Sequence, residues 1–125
     1  MKEVTAVYVS GKLPSINEYI DACRKNKYLA AKMKKDAENL VMLQTLRLTQ
    51  IRKRVFIRFT WYEENRRRDP DNVRAGAKFI LDALQKNGKL KNDNSKWIAG
   101  FAGDIFVYGK GQGVLIEVIP AQDKR

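Results

Sequence analysis

Histidine is absent from this chain of 125 residues, and cysteine occurs once, at Cys23. Without histidine there is no Ser-His or Cys-His nucleophile system, no His-ligated zinc and no imidazole general base. Hydrolytic chemistry here has to run on carboxylates, lysines and metal. A single cysteine excludes an internal disulfide and fits a reducing compartment. No apolar run approaches the ~20 residues of a membrane span, so no membrane role is expected. Residues 1–5 lack the apolar stretch and small-residue cleavage site of a secretion signal, so the expected location is the cytoplasm. Acids are scarce beside bases: 14 Asp and Glu against 25 Lys and Arg leave a net charge of +11. Such an excess favours a polyanionic partner.

With 44% hydrophobic and 31% charged residues the chain reads as one globular domain, residues 1–125. Residues 4–9 alternate as a strand, which Gly11 and Pro14 end. Ser15 and Glu18 have the spacing of a capping box, so a helix opens there, with a break expected around residues 25–27. From about residue 29 to 48 the pattern is helical, with Met33, Ala37, Leu40, Val41 and Leu48 on one face. Residues 54–62 carry large apolar side chains on both faces, as a central strand would. Asp69 fits a helix N-cap, Pro70 the first helical position, and Val73, Ala77, Ile80, Leu81 and Leu84 a buried stripe. Asn87 and Gly88 end that helix, and residues 89–96 form a polar loop. Two strands follow, near 97–108 and 113–119, with Gly100 and Gly103 marking a bulge and residues 109–113 a hairpin tip. The expected fold is α/β (α+β), a small mixed sheet packed with two main helices.

The chemistry concentrates in residues 66–72, where Arg66, Arg67 and Arg68 precede Asp69 and Asp71. Magnesium takes one or two protein carboxylates together with waters and phosphate oxygens. A carboxylate pair in so basic a chain suits a Mg²⁺ ion held beside a DNA phosphate, with the arginines attracting the backbone. Helix punctuation accounts for the two aspartates equally well, since an N-cap and a first-turn acid are ordinary. Three features favour the metal: the pair follows a strand, three arginines precede it, and a third acid, Asp93, lies in the loop after the same helix. Asp71, Lys78 and Asp82, spaced by seven and four residues, fall on one stripe of a continuous helix. A lysine there stabilises charge developing in a transition state. A solvated helix face explains the same spacing.

These residues resemble the RusA-type Holliday-junction endonucleases of bacteria and their phages. That family's pattern is an Arg-rich run, Asp-x-Asp-Asn, a lysine, a Leu-Asp-Ala-Leu-like helix end, a glycine, and an acid five residues on. This chain has Arg66 to Arg68, Asp69-Pro70-Asp71-Asn72, Lys78, Leu81-Asp82-Ala83-Leu84, Gly88 and Asp93. Its Pro14-Ser15-Ile16-Asn17-Glu18-Tyr19 is similar to the family's Pro-Ser-x-Asn-x-Tyr segment. The resemblance implies a RusA-like homodimer that uses Mg²⁺, with Mn²⁺ as a substitute and no organic cofactor. Such a dimer makes paired symmetric nicks across four-way DNA junctions, in recombination and repair, in a bacterial or phage-infected cell. It implies Asp69, Asp71 and Asp93 as catalytic metal ligands and Lys78 as the catalytic lysine. Arg66, Arg67, Arg68 and Arg74 would contact DNA. Two departures stand out. Asn92 replaces one acid of the family's frequent Asp-Asp, and Lys78 follows Asp71 by seven residues where four is usual. Arg74 is therefore the rival for the lysine's role. Two other functions fit the charge: a non-catalytic nucleic-acid-binding module, and a nuclease for other branched DNA. Tyr19, Trp61, Tyr62 and Trp97 are candidates for stacking at a junction, with core packing as the plainer use.

Overall fold

The computed structural model describes residues 2–122. Five strand and helix assignments follow the sequence pattern closely. Strand β1 (Ala6–Ser10) leads to helix α1 (Ile16–Lys25), and helix α2 (Lys27–Gln44) follows directly. The capping box at Ser15 is complete: Glu18 N–H donates to Ser15 Oγ at 3.1 Å and Ser15 N–H donates to Glu18 Oε1 at 3.0 Å. Asn26 supplies the expected break. Its extended backbone (φ −168°, ψ 122°) ends α1, and its Oδ1 accepts from Tyr28 N–H at 2.8 Å to start α2. Because Ser15 is buried with both reciprocal bonds made, Ser15→Ala should lower stability by about 1 kcal/mol, measured by urea unfolding.

Strand β2 (Val55–Glu63) is followed by helices α3 (Pro70–Arg74) and α4 (Ala77–Lys86), then β3 (Ile98–Tyr108) and β4 (Gly113–Pro120). The sheet order is β1-β4-β2-β3. β3 runs parallel to β2, whereas β4 is antiparallel to both β1 and β2. β2 is thus central, as its two apolar faces require. Against β2, β3 carries one extra residue at Ala99 and another at Ala102–Gly103. Gly103 has φ +116°, a backbone conformation that an L side chain resists.

The core fills the space between the helices and one face of the sheet. Val9, Ile57, Phe59 and Ile116 from the strands meet Val41, Ile80 and Leu84 from the helices, all fully buried. Each such side chain contributes roughly 1.5–3 kcal/mol of transfer free energy. The opposite sheet face is more polar. It carries an Arg58–Glu117 pair, with bonds of 3.0 and 2.9 Å, and an edge-to-face contact of Tyr8 with Tyr62.

Two expectations need correction. Helix α2 ends at Gln44, short of residue 48. The helix after Asp69 is broken into α3 and α4 at Ala75–Gly76. Gly76 N–H bonds to Val73 O and Lys78 N–H to Ala75 O, both over three residues, so the chain tightens there. A methyl group at Gly76 would lie 3.2 Å from the Leu13 side chain and from Val73 O. The break therefore occurs where the segment before α1 presses closest. Asp71 and Lys78 consequently sit on separate helices and share no continuous stripe.

Candidate active site

The acidic pair stands at the end of β2. Glu63, the last residue of that strand, is 5% exposed. It is met by Arg68, whose Nε and Nη2 donate to the two Glu63 carboxylate oxygens at 2.9 and 2.8 Å. Arg68 Nη1 also donates to Leu13 O at 2.8 Å and approaches Glu18 Oε1 at 3.4 Å. Gln112 bonds to Glu63 from the hairpin side. Burial alone lowers the tendency of Arg68 to hold its proton. The bonds and charges of Glu63 and Glu18 outweigh that, and its pKa is raised on balance. Arg68, grouped by sequence with the DNA-facing arginines, is thus turned inward and fixes the loop against β2 and the α1 entry.

That fixture places Asp69 and Asp71. Asp69 has the extended backbone of an N-cap (φ −69°, ψ 151°), yet its side chain makes no capping bond. Asp71 occupies the first turn of α3 and is exposed. Among the described residues neither carboxylate has a hydrogen-bond or ion-pair partner in the protein. The side-chain cap that would account for Asp69 as helix punctuation is therefore not made. Two adjacent, unengaged carboxylates form a donor set that suits Mg²⁺, which asks for one or two carboxylates and fills the rest with water and phosphate oxygens.

The arginines around the pair divide by role. Arg67 is exposed, and its guanidinium has no partner among the described residues. Arg66 lies over the Tyr108 ring at 4.2 Å from its centroid. Arg74, three residues after Asp71 on α3 and so about one turn away, is ion-paired with Asp104 and lies 5.6 Å from the centre of the Phe101 ring. Asp104 also accepts from Trp61 Nε1 at 2.9 Å. Trp61 is therefore a core residue whose indole N–H holds Asp104 in place, and Asp104 holds Arg74 beside Asp71. Asp104 was not singled out from sequence. Its signal was present: it is the only charge within β3.

Lys78 points elsewhere. Its Nζ bonds to Asp82 at 3.2 Å, and Asp82 lies 3.9 Å from Lys34 of α2. Lys34 and Lys86 both approach Glu38, which is 2% exposed. The lysine belongs to a charge network that joins α4 to α2. Tyr19 packs edge-to-face on Phe79, Tyr62 on Tyr8, and Trp97 against the core, so none is a free stacking platform.

Asp93 lies in the loop between α4 and β3. Arg54 Nε donates to Ser95 O at 2.9 Å and Val55 N–H to Trp97 O at 2.9 Å, which pins the 91–97 loop to the first residue of β2. Arg68, just before Asp69, is tied to its last residue, Glu63, while Arg74 pairs with Asp104, which stands opposite Phe59 in the middle of β2. Asp93 is exposed, and among the described residues no three His, Cys, Asp or Glu side chains are grouped to hold a metal. No helix is long and apolar enough to cross a membrane. No family model matches the chain, and no curated protein sequence matches it.

Proposed function

We propose that this chain is a Mg²⁺-dependent endodeoxyribonuclease of four-way DNA junctions, acting as a homodimer. The observation that carries this reading is the pair Asp69 and Asp71. Both are exposed and unengaged, with Arg67 and Arg74 beside them and Arg68 fixing their loop. Asp69 and Asp71 would hold the ion, which when bound supplies charge to polarise a phosphate and acidify water in place of a histidine base. Arg66 and Arg67 bind flanking phosphates, and so position the strand without reading its sequence. Arg74, held one turn from Asp71, is better placed than Lys78 to stabilise charge developing on the phosphate.

Asp93 enters this scheme only across a dimer. Within one chain it is not grouped with Asp69 and Asp71 among the described residues. In a twofold pair of antiparallel copies, the Asp93 end of one copy meets the Asp69 end of the other, and both sites are completed at once. Two equivalent sites related by a twofold axis suit the two symmetric strands of a junction. The separation of Asp93 also keeps the non-catalytic DNA-binding module as a second reading.

The deciding experiment is cleavage of a labelled synthetic four-way junction beside a matched linear duplex, with and without Mg²⁺. Paired symmetric nicks confined to the junction and to Mg²⁺ are the expected result. Tight binding without cutting in either Mg²⁺ or Mn²⁺ would replace the nuclease by the binding module. Equal cutting of flaps and forks would widen the substrate to branched DNA in general.

A further inference from the structure

The end of β2 opposite the acidic pair carries a concavity of about 450 Å³, formed where the 52–54 segment meets the 91–97 loop. Among the described residues that line it, Arg52, Lys53, Arg54, Lys91 and Lys96 are cations and none is acidic. The walls are held together by hydrogen bonds to backbone carbonyls. Ile51 N–H bonds to Lys89 O at 2.8 Å, and the Arg54 and Val55 bonds to Ser95 O and Trp97 O close the other side. Within the loop, Asn94 N–H bonds to Asn92 Oδ1 at 3.3 Å and Lys96 N–H to Asn94 Oδ1 at 3.1 Å, which sets its turns. Arg52, Lys53, Lys91 and Lys96 have no acidic partner among the described residues. Elsewhere the exposed lysines of α2 and α4 are largely paired: Lys32 with Asp36, Lys78 with Asp82, Lys86 with Glu38. Arg52, Lys53, Lys91 and Lys96, gathered on a fixed concave surface, repel one another and raise the local positive potential. A row of phosphates relieves that repulsion and releases its own condensed counterions.

We propose that this concavity is a second DNA-backbone site, binding the phosphates of a junction arm at the far end of β2 from Arg66 and Arg67. It rests on the DNA reading above and adds the cations of the loop that carries Asp93 to those beside the acidic pair. Asn92, in place of an acid beside Asp93, keeps the rim of the site free of a further negative charge. With contacts at both ends of a strand about 26 Å long, one chain spans seven to eight nucleotides at roughly 3.4 Å each.

The test uses a triple variant, Lys53→Gln with Lys91→Gln and Lys96→Gln. Its control carries Lys25→Gln, Lys27→Gln and Lys35→Gln. Each loses three charges from the same total of +11, leaving +8. Junction binding is followed by fluorescence anisotropy across a series of KCl concentrations, with Ca²⁺ replacing Mg²⁺, after melting curves show that all three proteins are folded. The concavity variant should bind at least about tenfold more weakly. Its plot of log affinity against log salt should be shallower by about 2.7, at 0.9 for each lost phosphate contact. The control should keep the wild-type slope. A wild-type slope in the concavity variant, or an equal loss in the control, overturns the proposal while leaving the nuclease reading intact. Absence of junction binding by the wild-type chain removes both.

Discussion

Asp71→Asn should leave junction binding unchanged and slow cleavage by at least a factor of about 100, since a bound ion supplies several kcal/mol of transition-state stabilisation. Among the described residues the carboxylate has no hydrogen-bond or ion-pair partner, so its loss breaks none of their contacts. Asp69 gives the companion result. A capping aspartate replaced by alanine typically costs about 1 kcal/mol. Asp69 makes no capping bond, so Asp69→Ala should cost less than that while removing cleavage to the same degree. If both variants cut at the wild-type rate with normal binding, the pair is ordinary helix punctuation and the nuclease assignment falls.

Asp93 extends this prediction to the arrangement of the two copies. Asp93→Asn alone should also be inactive. Mixing it with Asp71→Asn, after unfolding and refolding together, separates two geometries. If each site draws all its carboxylates from one chain, every site in the mixture lacks one and no activity returns. If Asp93 is supplied by the partner, each heterodimer holds one intact site and one that lacks both groups. With random pairing, about a quarter of wild-type sites recover, and the product is a singly nicked junction instead of a resolved one. Nicking assays on a junction labelled in two strands distinguish the outcomes.

Much of this arrangement was readable from residues acting locally. The capping box, the helix break near Asn26, the central strand and the glycine helix stop each depend on a few neighbouring side chains and a known backbone preference. What was not readable depended on distant partners. Gly76 keeps helical torsions, and the break beside it coincides with Leu13, some 60 positions earlier. Arg68 looks like its two neighbours in sequence; only the buried Glu63 and the α1 entry turn it inward. The return of the 91–97 loop to the start of β2 follows from β3 lying parallel to β2, which forces the α3–α4 crossover to carry the chain back along the strand. Sequence spacing records order along the chain and not the direction of return. Asp104 was passed over for a related reason. Its role depends on Trp61 and Arg74, which reach it from another strand and a helix.

Arg68→Ala should produce the largest loss of stability of any single polar substitution at this site, about 3–5 kcal/mol, because it leaves Glu63 buried and charged without its partner. Arg68 is 16% exposed at its side chain and Glu63 7%, so solvent does little to screen the pair. Arg68→Lys should recover only part of the loss, since one ammonium cannot reproduce two parallel bonds to a carboxylate and a third to Leu13 O. Double replacement, Arg68→Met with Glu63→Leu, should be far milder than Arg68→Ala, because no buried charge is stranded. The pH dependence provides a separate readout. Burial raises the Glu18 carboxyl, but bonds from Ser15 and the charges of Lys12 and Arg68 bring it below its ordinary value of 4.5. A carboxyl depressed in the folded state contributes stability that is fully present above the unfolded value and is lost as pH falls through the folded one. Removing Arg68 takes away one of the depressing charges, so the acid limb of the stability curve should become shallower below pH 4.5. Chemical unfolding at a series of pH values measures both effects. A change below 1 kcal/mol at neutral pH would mean that Arg68 does not anchor the loop, and that Asp69 and Asp71 are held by something else.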